Sequence, residues 1–214
     1  MQKIISLFKR DYDGTRQVYD EIVPGAEWVA DGDGVATIKY DGTCCLILDG
    51  TLYKRYDRKL SNRGKQIHFT RRGARQTTGL IPVELFKAAP PGWVPAEESP
   101  DHHTGHWPGW LPVGDDPGDK WHREAWELVG KSLHDGTWEL VGPKINGNPH
   151  KLDGHTFYLH GISFVDMIGE DPPRDFDGLR EWLADHTDEG IVWHHPDGRM
   201  VKIKRKDFGL GWPA

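Results

Sequence analysis

The chain has 214 residues, 36% hydrophobic and 28% charged, with a formal net charge of −6 when histidine is neutral. That is a globular composition with room for one sizeable domain, and no apolar run reaches the roughly 20 residues that cross a bilayer. The first residues carry no signal-peptide apolar region, so the expected location is the cytoplasm, and the overall acidity rules out global basicity as a mark of nucleic-acid binding.

Residues 28–60 are expected to form consecutive strands. Val35-Ala36-Thr37-Ile38 leads into an Asp41-Gly42 turn, Thr43 to Leu48 is apolar and β-branched, and Asp49-Gly50 is a hairpin signal before Leu52-Tyr53. Lys39 therefore falls at a strand end beside a tight turn, where rigid backbone can anchor a reactive side chain. The two cysteines, Cys44 and Cys45, are neighbours. Adjacent cysteines resist disulfide geometry, and in a strand they point to opposite faces. They are expected to be reduced core residues, and without Cys-x-x-Cys spacing they make no zinc site by themselves.

Positive charge is uneven. Lys54, Arg55, Arg58, Lys59, Arg63, Lys65, Arg71, Arg72 and Arg75 crowd one stretch, Lys202, Lys204, Arg205 and Lys206 another, and acidic residues are dense through 97–119. A local field of this kind can hold phosphates on an acidic protein; a solvated basic face is the plain alternative. Residues 88–120 are rich in Pro and Gly and cannot be regular helix. Trp93, Trp107 and Trp110 bring too much apolar area to leave in water, so a long ordered loop packed on the domain is expected.

Residues 121–142 alternate toward a strand at 137–141, and 155–165 is strongly β-like. Residues 176–186 predict a short amphipathic helix, with Phe176, Leu179, Trp182 and Leu183 at helical spacing. Strands at 190–194 and 199–204 follow, joined by a turn at 195–198. Many antiparallel strands with few helices make the class α+β.

Several residues in these elements carry chemistry. In a strand, Lys202 and Lys204 share one face while Val201 and Ile203 enter the core. Two ammonium groups side by side repel, so the pattern suggests an anion between them; two solvated lysines on an amphipathic strand would look the same. Glu189 stands at the mouth of an apolar strand, where a carboxylate can ligate a divalent cation, with Asp188 as the competing candidate. Glu139 lies inside an otherwise apolar strand. Burying it is costly unless hydroxyls, such as those of a ribose, or a structural arginine bind it.

Ile38-Lys39-Tyr40-Asp41-Gly42-Thr43 contains Lys-x-Asp-Gly, a common tetrad on its own. Here it is followed in order by Tyr53-Lys54-Arg55-Tyr56-Asp57-Arg58-Lys59, by Trp138-Glu139-Leu140-Val141-Gly142, by Asp188-Glu189-Gly190-Ile191-Val192 and by Val201-Lys202-Ile203-Lys204. This order resembles the nucleotidyltransferase core of ATP-dependent polynucleotide ligases. Val141-Gly142-Pro143-Lys144-Ile145-Asn146-Gly147-Asn148, Asp41-Gly42-Thr43-Cys44-Cys45 and the 105–112 stretch resemble, more narrowly, a compact family of 5′-to-3′ RNA ligases that includes an animal enzyme. The resemblance covers about residues 28–210.

The resemblance implies a ligase adenylation fold over 1–214 as a single domain, with antiparallel sheets flanking a nucleotide cleft. It implies that Lys39 attacks the α-phosphate of ATP and carries AMP, with Ile38, Asp41 and Gly42 at the nucleotide. Arg55, and second Arg58, would contact the nucleotide and the end being joined. Glu139 would hold the ribose, His160 or Tyr158 would stack on adenine, Glu189 would place Mg²⁺ or Mn²⁺, and Lys202 and Lys204 would manage phosphate charge. Lys144, Asn148, Arg71 and Arg72 are candidates for RNA contact.

The implied activity joins RNA 5′-phosphate and 3′-hydroxyl ends through lysyl-AMP and an adenylated RNA end. A monomer without membrane association is expected. Ten residues follow Lys204, which leaves no room for a C-terminal OB domain and argues against a DNA ligase or capping enzyme. An inactive nucleotide- or RNA-binding module of the same fold, and AMP transfer to a non-RNA acceptor, stay open. Among the histidines, His102 and His106 could share a metal only on a helix, which the flanking Pro and Gly oppose; they are expected to be loop residues, some facing RNA phosphates.

Overall fold

The computed structural model describes residues 4–73, 81–101, 105–161 and 168–212; side chains of 69–73, and with them Arg71 and Arg72, lie outside the description, as do Arg75, His102, His103 and the 162–165 part of the expected strand. Among the described residues the elements begin with β1 (Ile5–Ser6), β2 (Phe8–Arg10), β3 (Val18–Ile22), α1 (Glu27–Ala30), β4 (Val35–Lys39), β5 (Thr43–Leu48), β6 (Thr51–Arg55) and β7 (Arg58–Lys59). They continue with α2 (Asn62–Gly73), β8 (Val94–Pro95), β9 (His106–Trp107), β10 (Gly109–Pro112), α3 (Lys120–Val129) and β11 (Gly136–Val141). The last are β12 (Thr156–Leu159), α4 (Phe176–Asp185), β13 (Gly190–His194) and β14 (Met200–Lys204). Strands in mostly antiparallel sheets outweigh helices, as the α+β expectation has it. No described helix is long and apolar enough to cross a membrane.

The chain folds as two compact units. One comprises residues 1–2, 43–140 and 155–157; the other comprises 3–42, 141–154 and 158–214. In the second unit, β1-β14-β13-β4 form a sheet in which β13 is antiparallel to both neighbours and β1 is parallel to β14. Alternation sends Ala36, Ile191, Trp193, Val201 and Ile203 to one face, where they join Leu179 and Leu183 of α4 and Leu7, Phe8 and Phe208 in the core. Helix α4 starts at Asp175, whose carboxylate accepts the Gly178 N–H at 2.8 Å. Its end is held by buried Arg205, which donates to the carbonyls of Leu183 and His186, groups a helix terminus leaves without internal partners.

In the first unit the sheet runs β11-β5-β6-β10-β8, with Thr156 and Phe157 of β12 on the β11 side. Leu48 pairs with Thr51 across Asp49 (φ 50°) and Gly50 (φ 69°). Two consecutive positive φ values are those of a two-residue type I′ hairpin turn, which the Asp-Gly pair predicted. A second core gathers Leu60, Ile81, Phe86 and Trp107, with Trp93 packed against it.

Three expectations are corrected. Trp28 to Ala30 are helical, not the start of a strand. The described part of the 88–120 stretch buries Trp107 and Trp110, but its backbone includes β8, β9 and β10, and Trp110 pairs with Arg55 and Val94. Trp107 and Trp110 are strand residues, while Trp93 packs on the second core from the loop just before β8. Residues 120–129 form α3, with His122 and Ala125 as its buried side, ahead of the strand read at 137–141.

Gly190 lies directly between Lys39 of β4 and Lys204 of β14. A Cβ there would sit 2.1 Å from the Ile203 carbonyl oxygen and 2.8 Å from the Lys204 Cα. Gly190→Ala is therefore expected to lower the unfolding free energy by about 2 kcal/mol through backbone overpacking. Urea titration reads this as a lower midpoint; an unchanged midpoint would mean that β13 and β14 do not approach this closely.

Candidate active site

Sheet register explains how three residues far apart in sequence meet. Lys39 and Lys204 are the cross-strand partners of Gly190, so both side chains leave the sheet on one face, opposite Ile191 and Ile203. Glu189 precedes Gly190 and reaches both: Lys39 Nζ lies 2.5 Å from Oε2 and Lys204 Nζ 2.7 Å from Oε1. The carboxylate is 5% exposed. Burial alone would raise its pKa, but the two ammonium groups outweigh burial and hold it below the usual carboxylate value. Lys202 shares the face of Lys204, two residues earlier, and among the described residues it has no carboxylate within ion-pair distance. Burial first, then the Lys204 and Lys39 charges, push its pKa down to about 8.

The Glu189 carboxylate bridges Lys204 and Lys39, so it is not the anion expected between Lys202 and Lys204. This bears on metal binding. Both Glu189 oxygens are held by ammonium groups, so a divalent cation reaches them only by displacing one. Asp188, half-buried, makes no ion pair with a lysine or arginine among the described residues, and burial raises its pKa. An uncommitted, desolvated carboxylate next to a committed one is a donor set that suits a cation, with Asp188 offering the open oxygens.

The lysine-bearing turn is clamped by residues 142–152 of the same unit. Lys39 Nζ donates to the Tyr40 carbonyl at 3.1 Å. The Asp41 N–H donates to His150 Nε2 at 2.9 Å. Asn146, at φ 46°, donates through Nδ2 to Asp41 Oδ1 at 2.9 Å and to the Gly42 carbonyl at 2.8 Å. Tyr40 stacks on Tyr158 with centroids 4.0 Å apart and planes at 3°, while His160, half-buried, follows the end of β12. Ile38 pairs with Ile191 and so alternates away from Lys39. Lys144 is exposed, and the Asn148 amide turns back on its own loop, donating to the Leu152 carbonyl and accepting the Leu152 N–H, both at 2.9 Å.

The first unit positions the remaining predicted residues. Glu139, half-buried in β11, pairs with Cys44 of β5. Burial first, then Glu139, push the Cys44 thiol up to about 12, and burial raises Cys45 as well, so both are poor nucleophiles. Arg55 donates to Asp57 at 2.6 Å and lies 5.3 Å from the Trp110 ring. Arg58 is occupied differently. It is 8% exposed, donates from Nε and Nη2 to the Lys87 carbonyl, and sits 5.1 Å from both Trp93 and Trp107. That is a packing role; Arg55, paired with Asp57, is the less buried of the two.

Sequence reasoning gave His150 and Asn146 no role in the site. Their hydrogen bonds span 109 and 105 residues, and no local pattern announces such contacts.

Comparison with known proteins gives the class. A family model for RNA ligase 1 matches residues 9–130 and 126–214. The chain is 30% identical over 257 residues to RNA ligase 1 of Danio rerio, covering 96% of this chain and 77% of that protein. It is 31% identical over 238 residues to RNA ligase 1 of Mus musculus, covering 85% and 68%, and 30% identical over 238 residues to RNA ligase 1 of Rattus norvegicus, covering 85% and 69%. The chain belongs to the RNA ligase 1 family.

The depressed Glu189 pKa fixes a sign. A carboxyl whose folded pKa lies below its unfolded value of 4.5 contributes stability that is present above that pH and lost as pH falls through the folded value. Glu189→Gln is expected to be less stable than wild type at pH 7 by about 3 kcal/mol, since it leaves two half-buried ammonium groups without their anion. The gap should shrink as pH falls below 4.5. Chemical denaturation at stepped pH checks this; a gap that stays constant into acid would contradict the shared ion pair.

Proposed function

We propose that this chain is an ATP-dependent RNA ligase of the nucleotidyltransferase fold, acting through Lys39. The observation that carries the proposal is the sharing of Glu189 between Lys39 and Lys204, in a chain of the RNA ligase 1 family. An amine must be neutral to attack phosphorus, so its proton has to leave first; Glu189, held ionised by two ammonium groups, orients the amine. Lys39 Nζ then bonds to the α-phosphorus of ATP as the bond to pyrophosphate breaks. The adenylyl group passes to an RNA 5′-phosphate, and a 3′-hydroxyl attacks that activated end and expels AMP.

Each residue's part follows from its chemistry. Lys202 and Lys204 offer positive charge for the oxygens of the transferring phosphoryl group. Lys202 is the cation without a carboxylate partner among the described residues, and so the one ready for an external anion. Once Lys39 is adenylated its positive charge is gone, and Glu189 retains Lys204 alone. Glu139 and Arg55 keep the ribose and phosphate roles of the family resemblance. Asp188, with Glu189 competing, would hold Mg²⁺ or Mn²⁺, whose contribution is to neutralise triphosphate charge. Of the two adenine candidates, Tyr158 has one ring face on Tyr40, so a base would meet its other face; His160 stays the alternative.

Incubation with α-labelled ATP and Mg²⁺, followed by denaturing gels, is the test. Label is expected on wild type and absent from Lys39→Ala and Lys39→Arg; added 5′-phosphorylated RNA should take up the label and then be joined. Wild type without label would leave a nucleotide- or RNA-binding module, and label that RNA cannot remove would point to another acceptor.

A further inference from the structure

We infer that His150 is a positioning residue for the adenylated lysine, acting as a neutral hydrogen-bond acceptor on the peptide group that holds the Lys39 amine. The inference rests on the lysyl-AMP chemistry proposed above and adds a residue to it.

One peptide plane carries the argument. The Tyr40 carbonyl accepts from Lys39 Nζ at 3.1 Å, and the Asp41 N–H donates to His150 Nε2 at 2.9 Å. These two groups belong to the same amide, between residues 40 and 41. Its orientation decides where its oxygen points, and so where the Lys39 amine rests. Strand β4 ends at Lys39, so no sheet partner fixes this plane. His150 does so instead, and hydrogen bonds at both ends of one amide polarise and strengthen each other. Asn146 holds the Asp41 side chain at Oδ1 and, through the Gly42 carbonyl, the amide between residues 42 and 43. The imidazole is itself fixed, edge-on to Tyr40 at 5.2 Å and to Trp212 at 5.9 Å.

An N–H that points at Nε2 requires a lone pair there, so the ring is the neutral tautomer with its proton on Nδ1. Burial favours that state and lowers the His150 pKa; Asp41, Asp188 and Glu189 oppose it, and Lys39 supports it. Loss of the acceptor would leave a half-buried N–H unpaired and let the plane rotate, carrying the amine from its place beside Glu189.

The test separates the acceptor from the ring. His150→Phe keeps an aromatic edge against Tyr40 and Trp212 but accepts no hydrogen bond; His150→Gln places a carbonyl oxygen near Nε2. Single-turnover self-labelling with α-labelled ATP is expected to slow about 10- to 100-fold in His150→Phe, the scale of a displaced reacting group, with nucleotide affinity unchanged. His150→Gln should recover most of the rate. Equal labelling by wild type and His150→Phe, or equal losses in both variants, would overturn the inference. Thermal melts run beside the assays, and imidazole ¹⁵N NMR of the unmodified chain decides independently of any variant. Nδ1–H is expected, and an Nε2–H tautomer at neutral pH would overturn the inference. Absence of label on wild type is a different result, which overturns the ligase chemistry and this inference with it.

Discussion

A carboxylate as buried as Glu189 would cost several kcal/mol if left alone, and would take up a proton instead. It stays ionised because two ammonium groups arrive from either side of it. Their arrival is a matter of register. Lys39 and Lys204 are both the partners of Gly190, and Gly190 has no side chain because the neighbouring backbone fills that space. A one-residue slip of β4 or β14 against β13 would send its lysine into the core and its isoleucine out. The buried apolar run of β13 and the alternation of β14 are thus what place the charges, and hydrophobic packing on one face pays for electrostatic order on the other.

The same frame explains why the lysines differ. Lys39 and Lys204 share one carboxylate, which offsets half of their combined charge. Lys202, on the same face, is desolvated beside two like charges and is held near the point where it loses its proton easily. An arriving polyanion would meet a cation that gains most from its company. In the first unit the arginines divide in a similar way. Arg58 is boxed by tryptophans and a backbone carbonyl, while Arg55 has a single carboxylate partner among the described residues and an aromatic ring beneath it.

Legibility in the sequence followed the strength of local signals. Strand β13 and the 195–198 turn were readable, and β14 to within a residue, because a short apolar run marks the first, a Pro-Asp-Gly turn the second and two-residue alternation the third. The β5–β6 hairpin was readable from Asp49-Gly50. Helix α2 was not, since Ile67 and Phe69 are its only large apolar residues and no helical period emerges. Helix α3 was hidden because its buried side rests on His122 and Ala125 while Leu128 is 69% exposed, so its apolar pattern points the wrong way. The 88–120 stretch misled through its prolines, which edge and end strands as readily as they break helices. Within the candidate site, Lys39, Glu189, Lys202 and Lys204 came from ordered motifs. The sharing of one carboxylate did not, and neither did His150, whose contact with Asp41 exists only once the chain is folded.

The central claim is that the amine held by Glu189 is the one that takes AMP. Peptide mapping by mass spectrometry, after incubating the intact chain with ATP and Mg²⁺, tests it most directly. A single AMP adduct on the peptide bearing Lys39 is predicted, localised to Lys39 by fragmentation. An adduct on Lys202 or Lys204 instead, or none on any lysine, would contradict the account.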